Sequence, residues 1–197
     1  MSKVRLYMSM SVDGFIAGPG DDAEHGLGVG GERLHAWLSE GGLEPGSYRP
    51  TSGPSAAVFD EMLATGAVVV GRRTFEFAGG WGGDHHDGVP IFVLTHAAPS
   101  TPAPGHASYV TDVGSAVDQA KAAAGGRDVM VHGASAAQAL LRAGLIDELE
   151  LQLVPVLLGQ GRRLFDDSSP DQQELELLRS LEGPGVLHLR YRVRSAG

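Results

Sequence analysis

The 197-residue sequence contains no cysteine. That absence excludes a disulfide scaffold, a thiolate zinc or iron–sulfur site and a cysteine nucleophile. No apolar run comes near the roughly 18 residues a membrane-spanning helix needs. The opening segment, MSKVRLYMSMSVDG, has no charged stretch followed by an apolar one, so it does not read as a secretory signal. A cytoplasmic location is the expectation. Positive charge is also scarce, with 15 Lys and Arg against 24 Asp and Glu and a net charge of −9. A nucleic-acid binder normally presents a basic face, so neither nucleic acid nor a membrane is an expected partner. Any bound anion must be held by local arginines and backbone amides. Gly-x-Ser-x-Gly and the P-loop signature are missing too, which leaves serine hydrolase and P-loop NTPase readings without support.

What the sequence has in excess is glycine. The 29 glycines and 11 prolines make up about a fifth of the chain, against a usual share of roughly 12%. The 42% hydrophobic content is still enough for a sizeable core, and the length favours one domain over residues 1–197. Residues 4–12 read as a first strand and GERLHAWL at 31–38 as a short amphipathic helix, with a long mobile loop between them at 18–31. A loop at 41–53 precedes a helix that opens on Pro54. The short runs at 67–70, 91–95 and 128–132 lack polar alternation, as expected of strands covered on both faces in a mostly parallel sheet. Helices are predicted over 114–124 and 134–143, a long strand over 149–158, and an antiparallel hairpin turning at Gly183-Pro184-Gly185. These elements predict a single α/β domain with a mixed sheet.

Gly26 to Gly31 satisfies G-x-G-x-x-G, but the residues before it are Asp21, Asp22, Ala23, Glu24 and His25. A dinucleotide fingerprint needs a strand ending there, so a flexible active-site loop is the better reading. Three strand-to-helix junctions carry more information, because open α/β sheets bind ligands beyond the carboxyl ends of their strands. Gly71, Arg72, Arg73 and Thr74 combine a tight turn, two guanidiniums and a hydroxyl, which suits an anion as well as an ordinary surface pair. Gly133, Ala134, Ser135 and Ala136 allow close backbone approach at a helix start, or simply tight packing with Ser135 as cap. Leu94, Thr95 and His96 leave a third strand end, where Thr95 and His96 suit a nucleoside or its phosphate. His132 closes an apolar strand and is either ligand-facing or a buried, hydrogen-bonded histidine. Asp84-His85-His86-Asp87 lacks the spacing of a metal site on a rigid element and reads as a solvated loop, so no metal is expected. Asp13 reads as a turn former.

SVDGFIAG, VVVGRRTFE, PIFVLTHAAP, VMVHGASAAQALL and IDELELQLVPVLLGQGRRLF occur in one order from Val4 to Val193. In that order they resemble the dihydrofolate reductase-like family. The nearest likeness is to the branch named for the C-terminal reductase domain of bifunctional riboflavin-biosynthesis enzymes. The resemblance implies a three-layer α/β fold, with a mostly parallel sheet between helices and a C-terminal antiparallel hairpin, and NADPH as hydride donor. It places Gly71–Thr74 at the adenosine phosphates, Leu94–His96 at the adenosine, and Gly133–Ala136 under the pyrophosphate. Ile16 and Ala17 would flank the nicotinamide, beneath the 18–31 loop. A homodimer through the C-terminal strands is implied as well.

The sequence departs from dihydrofolate reductases where they carry an acidic residue that fixes the pterin. Ser55 and Ala56 occupy that region, so a charge-assisted pair with a pteridine is lost. Asp60, His132, Gln138 and Gln152 are the polar groups expected near the hydride acceptor. Asp60 and His132 are the candidate proton donors, Phe59 is a candidate stacking surface, and Gln138 and Gln152 are candidate substrate contacts. Dihydrofolate reductases also have a cis Gly-Gly step; the equivalent here is Gly133-Ala134. The expected function is NADPH-dependent reduction of a pterin- or ribosylaminopyrimidine-like heterocycle. One alternative is 5-amino-6-(5-phosphoribosylamino)uracil reduction, with Arg162-Arg163 as a phosphate clamp or a solvated turn. Another is a non-catalytic NADP-binding sensor or interaction protein.

Overall fold

The apolar runs of the sequence form the middle of an eight-stranded sheet in the computed structural model, which describes residues 2–39, 49–101, 103–166 and 172–194. In chain order the elements are β1 (Val4–Ser11), β2 (Phe15–Ala17), a 3-10 segment (Gly31–Leu38), α1 (Gly53–Leu63), β3 (Ala67–Gly71), α2 (Arg72–Phe77), a second 3-10 segment (Gly79–Gly83), β4 (Ile91–Leu94), β5 (Ala107–Val110), α3 (Val113–Ala123), β6 (Val129–His132), α4 (Ala134–Arg142), β7 (Glu148–Val154), β8 (Arg162–Arg163), β9 (Leu175–Gly183) and β10 (Val186–Val193). The sheet order is β5-β4-β3-β6-β1-β7-β10-β9. The first six strands in that order run parallel, and β10 and β9 add antiparallel at the edge. β2 and β8 pair separately, antiparallel, as a small ribbon.

The central strands are covered on both faces, as their unbroken apolar sequence requires. Val69, Val129 and Val131 pack with Ala116, Val117, Ala120, Ala136 and Leu140 of α3 and α4 on one side. Val68, Val70, Ile91 and Met130 pack with Phe75, Met62 and Trp81 on the other. In the 31–38 segment, Leu34 and Trp37 are the buried apolar pair. That i, i+3 spacing is the one a 3-10 helix aligns on a single face.

Several boundaries differ from the sequence expectation. β7 stops at Val154, not Leu158, because Pro155 cannot donate to the ladder. β2, β5 and β8 are too short to show a period of their own. The 18–31 segment is tightly closed on itself, with the Gly18 amide donating to the Leu27 carbonyl (2.8 Å) and the Val29 amide to that of Pro19 (3.0 Å). Most of the expected loop at 41–53 lies outside the described residues.

β7 presents alternate faces of opposite character. Leu149, Leu151 and Leu153 point one way, paired in register with Tyr191, Leu189 and Leu187 of β10. Glu148, Glu150 and Gln152 point the other way. Glu148 accepts from Lys3 and Arg5, and the Arg5 guanidinium also donates to the Tyr7 hydroxyl (2.8 Å). Glu150, fully buried, meets Arg179 and Arg190 of the hairpin. Both arginines reach on to Glu61 of α1, and Arg179 does so with both terminal nitrogens, at 2.6 and 3.0 Å. Two carboxylates and two guanidiniums therefore neutralise one another while fixing α1 to the hairpin.

Removing one buried partner leaves the other charge uncompensated, so Glu150→Ala should cost about 3–5 kcal/mol. Glu176→Ala, which breaks an exposed pair with Arg192, should cost less than about 1 kcal/mol. Urea denaturation of the two variants measures the contrast.

Candidate functional site

β3 and β6 are neighbours and end at the same level, so the segments that follow them meet. A Cβ on Gly71 would lie 2.2 Å from the Ser135 hydroxyl oxygen, and one on Gly133 would lie 2.2 Å from that of Thr74. Each glycine leaves room for the hydroxyl of the opposite junction. Gly133 also takes φ +85°, a conformation that disfavours other residues. Its peptide to Ala134 is trans, like every described peptide bond, unlike the cis Gly-Gly step of dihydrofolate reductases. The Gly133 amide donates to the Met8 sulfur at 3.2 Å.

Two cavities open along this carboxyl edge. The first, about 320 Å³, lies over the ends of β1, β6 and β7. Ile16, Ala17, Trp37, Met62, Phe77 and Trp81 supply apolar wall, while Ser9, His132 and Gln152 supply polar groups. The second, about 730 Å³, is bounded by Gly71, Arg72 and Arg73, by Leu94, Thr95 and His96, and by Ser135, Gln138 and Arg142. Arg73 and Phe77 line both.

Ser135, Gln138, Ala139 and Arg142 face the second cavity at i, i+3, i+4, i+7, whereas Ala134, Ala136, Ala137, Leu140 and Leu141 are buried. The side chains of Ala134 and Ala136 are thus core, not cavity wall. Gln138 is turned away from the first cavity and donates to the Leu164 carbonyl at 2.9 Å, which corrects its expected place beside a hydride acceptor. Arg72 is paired with Glu76 at 2.6 Å, and the Thr95 hydroxyl donates to the Ala97 carbonyl.

Two α1 candidates lie elsewhere because of helical phase. The face of α1 that meets the sheet carries Ser55 and Val58, so Asp60 points to solvent and pairs with Arg49 at 2.8 Å. Phe59 packs against a cluster containing Leu34 and Trp37 and lies outside the cavity lining. Met62 takes the cavity position instead. Ser55 is buried and lies 3.1 Å from His188 Nε2. That imidazole is fully buried edge-on to Trp37, whose indole N–H donates to Ser9 at 2.9 Å. Tyr7, Ser9, His35, Trp37 and Trp81 are cavity residues that motif reading missed. Trp81 reaches the cavity from a left-handed turn, with φ values of 60, 50 and 63° at Gly80, Trp81 and Gly82. Only the glycines flanking it pointed to such a turn.

Gln152 is buried and its amide makes no hydrogen bond to the described residues, so its polar atoms are open to the cavity alone. His132 also lines the cavity. Burial holds its pKa down to about 4, opposed by a hydrogen bond with the Tyr7 backbone. At pH 7 it is a neutral imidazole, suited to hydrogen bonding and not to supplying a proton. In the 84–87 segment Asp84 and Asp87 are exposed, as its composition suggested, but the two histidines between them turn inward. His85 sits against Trp81 and His132, with ring centroids 4.6 and 5.1 Å apart, and burial followed by its histidine neighbours lowers its pKa to about 2. His86 is buried against Thr65. Among the described residues no group of three or more His, Asp or Glu is arranged to hold a metal ion, and no helix is long and apolar enough to cross a membrane.

This sheet order, with cavities at the strand ends and an antiparallel hairpin at the edge, is that of the dihydrofolate reductase-like fold. Residues 2–189 match the RibD C-terminal domain family, and the chain belongs to it. A crystal structure of a protein from Shewanella sp. PV-4 assigned to riboflavin biosynthesis is similar at TM-score 0.71 and 20% identity, covering 98% of this chain and 99% of that one. A pyrimidine reductase-like protein from Corynebacterium diphtheriae gives 0.65 and 14%, covering 99% and 93%. Dihydrofolate reductase from Enterococcus faecalis, complexed with NADP(H) and RAB-propyl, gives 0.63 and 16%, covering 98% and 97%. No curated protein matches the sequence.

Histidines held neutral in the fold make stability depend on pH. The unfolded chain protonates them near pH 6.5 and the folded chain does not, so their stabilising effect is complete above pH 6.5 and falls as pH drops toward 4. Urea midpoints should decline from pH 7.5 to 5.0, and His132→Gln should remove about 1–2 kcal/mol of that decline.

Proposed function

We propose that this chain is an NADPH-dependent reductase of a small planar heterocycle. The observation that carries the reading is the pair of cavities joined at Arg73 and Phe77 along the carboxyl edge of the sheet. The second cavity fits the phosphates and adenosine of such a cofactor. Arg72, Arg73, Thr95, His96 and Ser135 line it, and the space vacated at Gly71 and Gly133 lets the two junctions close up beside it. When bound, the cofactor supplies hydride from its nicotinamide. Ile16 and Ala17 would flank that ring in the first cavity, leaving Trp37, Trp81 and Gln152 for the acceptor.

The character of the first cavity favours an acceptor whose ring is uncharged. Its only carboxylate among the described residues is Asp21, which is ion-paired to Arg73 and Arg162. Ser55 and Ala56 occupy the region where dihydrofolate reductases carry their acid, and Ser55 is bonded to buried His188. An ordinary dihydrofolate reductase activity is therefore not proposed. Gln152 can donate to and accept from a ring edge, while the aromatic walls enclose its faces. With His132 neutral and Asp60 outside the cavity, water entering the cleft is the proton source. Membership of the RibD C-terminal domain family favours a pyrimidine carrying a ribosylamino group as one such acceptor.

We also propose that two copies associate through the apolar face of the C-terminal strands. Leu153, Leu187, Leu189 and Tyr191 share that face and are only partly covered. Sedimentation at micromolar concentration should give twice the 20.5 kDa chain mass; a 20.5 kDa species would overturn the association.

Fluorescence titration should show NADPH binding more tightly than NADH, and Arg72→Ala/Arg73→Ala should weaken NADPH by at least about tenfold. No NADPH binding would overturn the reading. NADPH oxidation followed across pterin and pyrimidine acceptors separates an enzyme from a binding protein, because binding without turnover on any of them would favour the latter.

A further inference from the structure

We propose that Asp21 is a built-in anion occupying a phosphoryl-binding site formed by Arg73 and Arg162, and that it leaves when a phosphoryl group arrives. Asp21 lies in the closed 18–31 loop, and its side chain is 12% exposed. Arg162 donates to both carboxylate oxygens, at 2.8 and 3.2 Å. Arg73 donates from one nitrogen to Oδ1 (3.1 Å) and to the Asp21 backbone carbonyl (3.0 Å), and its guanidinium lies over the Phe77 ring. The two arginines come from separate elements. Arg73 is in α2, while Arg162 is in β8, held opposite Ala17 by the ribbon with β2.

Charge count and position together set this cluster apart, because the other two-to-one group among the described residues, Arg192 and Arg194 on Glu176, is exposed and lines neither cavity. In the network that joins α1 to the hairpin, two guanidiniums meet two carboxylates, Glu61 and Glu150. Arg72 has Glu76 to itself. Here two guanidiniums share one carboxylate, which leaves a surplus positive charge facing the first cavity in a chain of net charge −9. Guanidinium forks hold carboxylate and phosphoryl oxygens in the same bidentate manner, so the position of the Asp21 carboxylate marks where a phosphoryl group would sit. Two anions cannot share that place without repulsion. Entry of one therefore requires Asp21 to withdraw, and with it the loop that covers the cavity. Arg73 lines both cavities, so the group can come from the cofactor diphosphate or from a phosphorylated tail on the acceptor.

Only the choice of probes rests on the reductase reading. Calorimetric titrations at constant ionic strength would use ribose 5-phosphate and NADP+ as separate probes of wild type, Asp21→Asn, Arg162→Gln and the double variant. Asp21→Asn should bind at least one probe about tenfold tighter, as expected when an internal competitor is removed. Arg162→Gln should bind that probe more weakly, and the double variant should lose the gain. The probe that responds identifies the source of the phosphoryl group. Unchanged or weaker binding of both probes to Asp21→Asn overturns the proposal, the second result making Asp21 a plain support of its loop. Failure of both probes to bind any variant overturns it too. If only NADP+ fails, the cofactor reading falls while the ribose 5-phosphate titrations still decide the site. Should Asp21→Asn not fold, wild-type cleavage after Glu24 by a glutamate-specific protease replaces it. Either probe should accelerate that cleavage, and no acceleration by either would overturn the displacement.

Discussion

The segments that follow β3 and β6 approach so closely that neither leaves room for a side chain at its glycine, and the site of this protein depends on that constraint. The junctions after β3 and β6 compete for one volume, and they share it by alternating glycine and hydroxyl: Gly71 faces Ser135, and Gly133 faces Thr74. This lets α2 and α4 start close together without closing the gap beyond them. The same two starts set Arg73 at the junction of both cavities and Ser135 in the wall of the second. A larger residue at either glycine would push the helices apart and change both cavities at once.

β7 joins the core to the site along a single row. Glu148, Glu150 and Gln152 project on the same face, two residues apart. The first two are consumed by Lys3 and arginines from β1, β9 and β10, which satisfies their charge and anchors the hairpin. The third emerges at the cavity, where none of the described residues hydrogen-bonds to it. The strand thus moves from ion pairs at its start to an open amide at its end. His188 sits beside Gln152 in register and holds the edge of Trp37, so the hairpin supports the aromatic wall as well as the charges.

The parts of the molecule governed by period and apolar content were legible in the sequence. β3, β4 and β6 are apolar runs, and their exits at Gly71, Thr95 and Gly133 marked the carboxyl edge at which the cavities lie. The closing hairpin was marked by Gly183-Pro184-Gly185. Side-chain direction was less legible. One turn of α1 separates Ser55, which is buried, from Phe59 and Asp60, which lie outside the cavity, and only the docking of that helix against the sheet fixes which residue faces in. The histidines at 85 and 86 differ for a related reason: polarity suggested solvent, whereas the rings of Trp81 and His132, together with Thr65, supply an inward place for them. Residues of the cavity that come from short or left-handed segments, Trp37 and Trp81 above all, follow from contacts between distant parts of the chain. The charge pairing of Asp21 with Arg162 is of that kind too, spanning 141 positions.

The place of β1 in the sheet governs when the fold can form. Its neighbours are β6 and β7, so Val4 pairs with Val129 and Arg5 with Glu148. During synthesis β1 must wait until about two-thirds of this sequence has been made before either of its edges is satisfied. Parallel pairings across such separations are slow, because loop closure precedes the contacts that reward it. Until then, Leu6, Met8 and Met10 belong to an unpaired segment that can associate with other chains. The alternation of these residues with Arg5, Tyr7, Ser9 and Ser11 therefore serves the nascent chain as well as the finished sheet, since it keeps one face polar during the wait.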